Sequence, residues 1–262
     1  MTGDLPPDCA ALLYAPGGGL GHLTRALVVA RALPGRVHVW HQAPRALPAP
    51  DGVRQRRLPA AWGPGRRVAA ALQQRRGRRR CSSSTFPGGL EGELAPDVLG
   101  AFRRRVLVAR HVRPGAYPRY EARARAYDVR LLPYPPDDCE WDGAAPGVHV
   151  GHLLRDLPLD DDGPVAPLVV LGDPARLPAG WRARLPAGTR VVSGWTPRLP
   201  RARAYLSVGA GYHASYELAR LGVRHGLVPV ERRYDDQFRR AARRGAGVHT
   251  RADLLRLIGG AA

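Results

Sequence analysis

The stretch Cys9-Ala-Ala-Leu-Leu-Tyr-Ala15-Pro-Gly17-Gly-Gly19-Leu-Gly21-His22-Leu-Thr-Arg25-Ala-Leu-Val-Val-Ala-Arg-Ala-Leu33 decides how the chain is read. Residues 10–15 form an apolar run long enough for a buried strand. Four glycines follow, and then Leu23, Leu27, Ala30 and Leu33 fall on one side of a helix. Strand, glycine turn and helix make the opening unit of an open α/β sheet, whose ligands bind at the carboxyl ends of the strands. His22 stands at the junction, where helix N–H groups point outward and favour anions. There a neutral imidazole can take a proton from a substrate hydroxyl while the helix end holds negative charge nearby. The alternative is a glycine turn that only packs helix on strand, with His22 an ordinary residue beside the cap. A dinucleotide fingerprint does not fit, because His22 occupies its sixth position and the second strand, 36–42, ends without an acid. A phosphate loop of the GxxxxGK type is excluded, since the chain contains no lysine.

At 262 residues the chain has room for two modest α/β domains or one large one. No apolar stretch reaches membrane-spanning length, and the first residues, Met-Thr-Gly-Asp-Leu-Pro-Pro-Asp, lack the basic and apolar regions of a signal peptide, so the expected location is the cytoplasm. Cys9, Cys81 and Cys139 are too few and too scattered for a disulfide framework or a zinc cage. All 41 basic residues are arginine, a bias that suggests a GC-rich genome and discounts the net charge of +19. The remaining excess favours an anionic partner, a nucleotide diphosphate or an acidic membrane surface. Nucleic acid is not expected, because charge comes without aromatic-studded strands or a known module.

Further along, 37–40 and 52–58 read as the second and third strands. The arginine-dense segment 65–80 can be a helix, and its run 75–80 is a solvated surface or a phosphate contact. Cys81-Ser-Ser-Ser-Thr85-Phe-Pro87-Gly-Gly89-Leu-Glu91-Gly-Glu93-Leu94 is a short strand, a Pro-Gly-Gly turn and an acidic helix start. Glu91 or Glu93 either lies near His22 or favours that helix N-terminus. Strands at 106–109 and 129–132 flank a helix at 118–127, and the Pro-, Asp- and Gly-rich segment 133–163 reads as a crossing between domains. The boundary is placed at 160–164, whose three adjacent acids are solvated linker or a D-x-D metal motif. The second part has strands at 167–171, 191–195, 205–208 and 227–230, and a helix at 238–244. Gly209-Ala-Gly211-Tyr-His213-Ala-Ser215-Tyr-Glu217 repeats the first unit's order of strand, glycine turn and helix. The expected architecture is therefore α/β, two Rossmann-like domains (1–160 and 165–262, the second reduced) facing one another across a cleft.

Three motifs, in order, carry a family resemblance. Gly-Gly-Gly-Leu-Gly-His-Leu-Thr-Arg25 resembles the N-terminal loop of GT-B glycosyltransferases related to the peptidoglycan N-acetylglucosaminyltransferase that makes lipid II. Thr85-Phe-Pro-Gly-Gly-Leu-Glu-Gly-Glu-Leu94 is similar to a loop of bacterial predicted glycosyltransferases. Residues 209–217, with Pro229 and Asp235-Asp236-Gln237, resemble the C-terminal nucleotide-sugar signature. The resemblance implies an inverting, metal-independent transfer from a UDP-sugar to a hydroxyl acceptor, with no cofactor. It implies His22 as catalytic base or acceptor-orienting group, with Gly19, Gly21 and Arg25 of the same loop on the substrate side. It also implies that Gly211, His213, Ala214 and Ser215 meet the diphosphate, Glu217 the ribose, and Asp236 and Gln237 the donor sugar. Two departures bear on the donor half: the place of a second glycine-rich phosphate loop reads Leu171-Gly172-Asp173-Pro174, and the C-terminal half is short for the family. A UDP-sugar hydrolase of the same fold, or a nucleotide-sugar-binding protein without catalysis, are the alternatives. Peripheral attachment to an anionic membrane is the further expectation.

Overall fold

The computed structural model describes residues 9–17, 19–58, 81–84, 87–89, 92–100, 102–109, 114–138, 147–233 and 235–259. The arginine-dense segment 65–80, Glu91 and the middle of the expected crossing, 139–146, lie outside them. The chain divides into two compact units, Met1–Leu153 and Leu154–Ala262.

The first unit is a seven-stranded sheet of β1 (Cys9–Ala15), β2 (Arg36–His41), β3 (Val53–Arg57), β4 (Cys81–Ser84), β5 (Arg105–Val108), β6 (Val129–Leu132) and β7 (Val148–His149). Their order is β3-β2-β1-β4-β5-β6-β7, and every pair is parallel. Helix α1 (Leu20–Arg31) joins β1 to β2, while α2 (Pro96–Leu99) and α3 (Tyr117–Ala124) come later in the unit. A parallel sheet is covered on both faces, so its central strands read as near-continuous apolar runs. Accordingly, five of the six residues of β2 are buried. Leu12 and Tyr14 of β1 enter one core with Trp40, Val98, Leu99, Leu107, Tyr120 and Ala124. The alternate residues Ala11, Leu13 and Ala15 turn to the other face, where Leu23, Ala26, Leu27 and Ala30 of α1 are buried. Chain order reverses between β1 and β4, so the switch point of this sheet lies beside the glycine loop that leaves β1.

The second unit carries β8 (Val169–Leu171), β9 (Arg190–Val192), β10 (Tyr205–Val208) and β11 (His225–Val228) in the order β11-β10-β8-β9, again all parallel. Helix α4 (Tyr212–Arg220) follows β10, α5 (Gln237–Arg243) follows β11, and α6 (Arg251–Gly259) ends the described chain. Val170 and Leu206 share one core with Leu177, Trp181, Val248, Leu254 and Leu257. Val169 and Tyr205 face the opposite way, toward Leu157, Leu199 and Leu218. The division between units falls after Leu153, ahead of the acidic 160–164 turn, because Leu157 belongs to this second core and Leu159 bridges Leu199. The sheet's switch point lies between β8 and β10, beside the loops that begin at Gly172 and Gly209.

Two features of the second unit test this packing. An added Cβ at Gly226, in the middle of β11, would stand 2.5 Å from Val248 Cγ2 and 2.8 Å from Leu257 Cδ2. Gly226→Ala is therefore expected to lower unfolding free energy by roughly 1–3 kcal/mol, read from denaturant melts, as overpacked cores do. Helix α6 opens with a capping box: Asp253 Oδ2 accepts from Thr250 N at 2.8 Å and His249 N at 3.0 Å, and Asp253 N donates to Thr250 Oγ1. These bonds pull the Asp253 carboxyl from 3.8 down to about 2. A depressed folded-state pKa means stability that is full above the unfolded value and is lost as pH falls through the folded one. Wild type should thus melt above Asp253→Ala at neutral pH, and the two melting curves should converge as pH is lowered from about 4 to about 2.

Candidate functional site

Each unit presents a glycine loop at the carboxyl edge of its sheet, and the two loops share a backbone path. In the first, Gly17 has φ +98° and Gly19 is the extended N-cap of α1, at φ −90° and ψ 142°. In the second, Gly209 has φ +101° and Gly211 is the extended N-cap of α4, at φ −67° and ψ 158°. Gly17 and Gly209 take a left-handed φ that L side chains rarely adopt, which is why the sequence carries glycine there. A glutamine carboxamide grips each loop. Gln42, just past β2, accepts from Gly17 N at 3.0 Å, and Gln237, at the start of α5, accepts from Ala210 N at 2.9 Å.

In the first unit, Gly21 and His22 lie in the first turn of α1, Gly21 exposed and His22 half-buried. Arg25, one turn on, is buried with Thr24, whose hydroxyl donates to Leu20 O at 2.9 Å. His41 ends β2 opposite Ala15 and is 1 % exposed. Burial and the nearby Arg57 push its pKa down, with a backbone contact to Ala43 opposing them, so the ring is held neutral. Glu93, expected near His22 or at a helix start, is buried and accepts the Tyr14 hydroxyl proton at 2.6 Å. Gly89 is wrapped against it: a Cβ there would stand 2.1 Å from the Glu93 carboxyl carbon, and its φ is +78°.

The second unit gathers the residues expected on the donor side more closely. Gly211, His213, Ala214 and Ser215 are the cap and first turn of α4. Gly211 N and Ala214 N make no hydrogen bond among the described residues, as the first amides of a helix do not. Ser215 is fully buried. Glu217, on the second turn, is nearly buried: its Oε1 receives His213 Nδ1 at 3.0 Å and Arg155 Nε at 3.2 Å. Because a carboxylate only accepts, His213 carries its proton on Nδ1. Arg155 also donates to Thr196 O and lies over the Trp195 ring, 4.9 Å from its centroid. Asp173, which stands where the family resemblance places a second glycine-rich phosphate loop, caps a short 3-10 turn by accepting from Ala175 N at 2.9 Å. Gly172 is required there because a Cβ would approach Val208 O to 2.8 Å.

Asp236 caps α5 by accepting from Arg239 N at 3.0 Å. Gln237 is 4 % exposed, with Oε1 accepting from both Ala210 N and Val230 N and its amide donating to Asp235 Oδ2 at 3.4 Å. As placed, both residues brace backbone through one oxygen each, and among the described residues Asp236 Oδ2 and the second amide hydrogen of Gln237 are left over. Sequence reasoning passed over Gln42, His41, Arg155, Trp195 and Arg240. Among so many arginines only their tertiary partners mark Arg155 and Arg240, Glu217 for the one and Asp235 with the Ala210 carbonyl for the other, whereas Trp195, soon after a strand, was a legible signal. Among the described residues no group of three His, Cys, Asp or Glu side chains could hold a metal ion, and no helix is long and apolar enough to cross a membrane.

No family model matches the chain, and no curated protein matches it. Among solved structures it is similar to a complex between a UDP-glucosyltransferase from Polygonum tinctorium, capable of glucosylating indoxyl, and 3,4-dichloroaniline, with a TM-score of 0.61. The alignment covers 96 % of this chain and 89 % of that one at 13 % identity. At that identity the likeness is one of fold: parallel α/β sheets of Rossmann-like order.

Arg155 supplies the cation beside a carboxylate that is almost out of water. Arg155→Met should destabilise the protein by roughly 1–3 kcal/mol in denaturant unfolding, the cost of stranding a buried polar group. Arg155→Met combined with Glu217→Gln should recover part of that loss, and a double-mutant cycle measures the coupling.

Proposed function

We propose that the chain is a glycosyltransferase of the GT-B type that moves a hexosyl or N-acetylhexosaminyl group from a UDP-sugar to a hydroxyl acceptor. The second unit serves the donor and the first unit serves the acceptor. The observation that carries the reading is the cap of α4: Gly211 and Ala214 amides without a partner among the described residues, at a helix N-terminus and the switch point of a parallel sheet, with the Glu217 carboxylate on the same helix. Such an end holds a diphosphate and the charge that develops on it as a leaving group. Glu217 Oε1 is taken by its two partners, and Oε2 is the oxygen that accepts from the ribose hydroxyls. Relationship to the lipid II-forming transferases rests on the three motifs quoted above.

Chemically, the acceptor oxygen attacks the anomeric carbon, its proton passes to His22, and the bond from that carbon to the diphosphate oxygen breaks. UDP departs with the electron pair, and attack from the opposite face inverts the configuration. The route needs no metal if the α4 amides meet the diphosphate charge. The net charge of +19 suits an anionic donor and peripheral attachment to an acidic membrane surface on the cytoplasmic side.

A thermal-shift screen of nucleotides and nucleotide sugars tests the donor half, since a ligand bound only by the folded state raises the melting point. UDP and a UDP-sugar should raise it, and Glu217→Ala should weaken their binding by about tenfold. His22→Ala should cut turnover by about 10²–10⁴-fold with donor binding unchanged, the usual contribution of a general base. Full turnover in His22→Ala rejects that residue as the base. Rapid UDP release without any acceptor would instead make the protein a hydrolase, and binding without turnover a nucleotide-sugar-binding protein.

A further inference from the structure

The geometry points to Arg240 as a positioning residue that aims the Gly211 amide of the donor loop by holding the carbonyl on the other side of the same peptide group. This inference rests on the donor reading given above. The loop 209–211 contains two peptide groups, and each is held from the protein interior. In the first, Gly209 O accepts from Ser207 Oγ at 2.8 Å and Ala210 N donates to Gln237 Oε1 at 2.9 Å, so both ends are occupied. In the second, Ala210 O accepts from Arg240 Nη1 at 2.7 Å, while Gly211 N makes no hydrogen bond among the described residues. Among the described residues no peptide bond is cis, and in a trans peptide the C=O and N–H point in opposite directions. Arg240 is 2 % exposed, so its grip on the carbonyl turns the Gly211 N–H away from the interior. One amide of the pair is thereby consumed in fixing the loop, and the other is presented.

Arg240 suits this task because its planar fork serves two partners at once. Nη2 meets Asp235 Oδ1 at 2.8 Å, and Nη1 meets Asp235 Oδ2 at 3.3 Å as well as the Ala210 carbonyl. Asp235 also accepts from Gln237 Nε2, and Gln237 Oε1 reaches Val230 N at 3.1 Å. The exit of β10, the exit of β11 and the start of α5 are thus one network centred on a neutralised ion pair. A lysine, a point charge, can hold the carboxylate or the carbonyl but does not reproduce the fork.

The test compares binding of UDP and of uridine by calorimetry, because their ratio isolates the diphosphate from the nucleoside. Wild type should bind UDP well above uridine. Arg240→Met should reduce that ratio by about tenfold, the loss expected of one misaimed charge-assisted bond, while uridine binding stays within about twofold. Arg240→Lys should restore part of the ratio. A purely structural role would instead lower the melting temperature and leave the ratio where it was. Should Arg240→Met fail to fold, Arg240→Lys and Asp235→Asn are measured in the same way, and an unchanged ratio in both overturns the assignment. A wild type that binds UDP no better than uridine overturns the donor reading itself. A wild type with the preference, and an Arg240→Met that keeps it, overturns the role of Arg240 alone.

Discussion

A side-chain carboxamide that takes a backbone N–H from a glycine loop is the contact on which both halves of this protein turn. Where a parallel strand ends at the top of a sheet, its chain must reverse into a helix, and the amides in that reversal have no ladder partner. Gln42 satisfies Gly17 and Gln237 satisfies Ala210, each from the segment that follows the neighbouring strand. The glutamine therefore ties the exits of two adjacent strands together. It also takes one amide of each loop into the structure.

Around the second loop the polar groups are arranged in tiers. Gln237, Asp235 and Arg240 hold backbone and one another, beneath the cap of α4. Above them, Glu217 is held at one oxygen by His213 and Arg155. Burying a carboxylate is costly unless cations and donors compensate it, and here both are supplied from different parts of the unit. Asp173 has its charge engaged in a local cap. The first unit follows the same economy with fewer charges: Tyr14 satisfies the buried Glu93, and His41 is kept neutral by burial and by Arg57.

Most of the sheet was legible because buried parallel strands must be apolar on both faces. Strands β1, β2, β5, β6, β8, β10 and β11 stand out as such runs, and the two loops stand out because left-handed φ at Gly17 and Gly209 favours glycine. The edge strand β7 did not, since its residues Val148 and His149 are exposed and sit among proline and glycine. Helix α6 also escaped notice, although Thr250 and Asp253 form a readable capping box. Acidic residues 160–164 resemble a linker, while Leu157, ahead of them, already packs in the second core.

By itself the sequence determined the α/β class, the two glycine loops, and the chemical types at them: a histidine after the first, a histidine and a glutamate after the second. Those features follow from local rules of periodicity, backbone sterics and helix ends, which act over a few residues. Only the tertiary structure decided what each polar group is bonded to. It set Gln237 to bracing backbone, paired Glu217 with Arg155 across sixty-two positions of chain, and buried Arg240 against Asp235. Hydrogen bonding and burial depend on which distant segments the fold brings together, and one arginine among 41 looks like any other until that has happened.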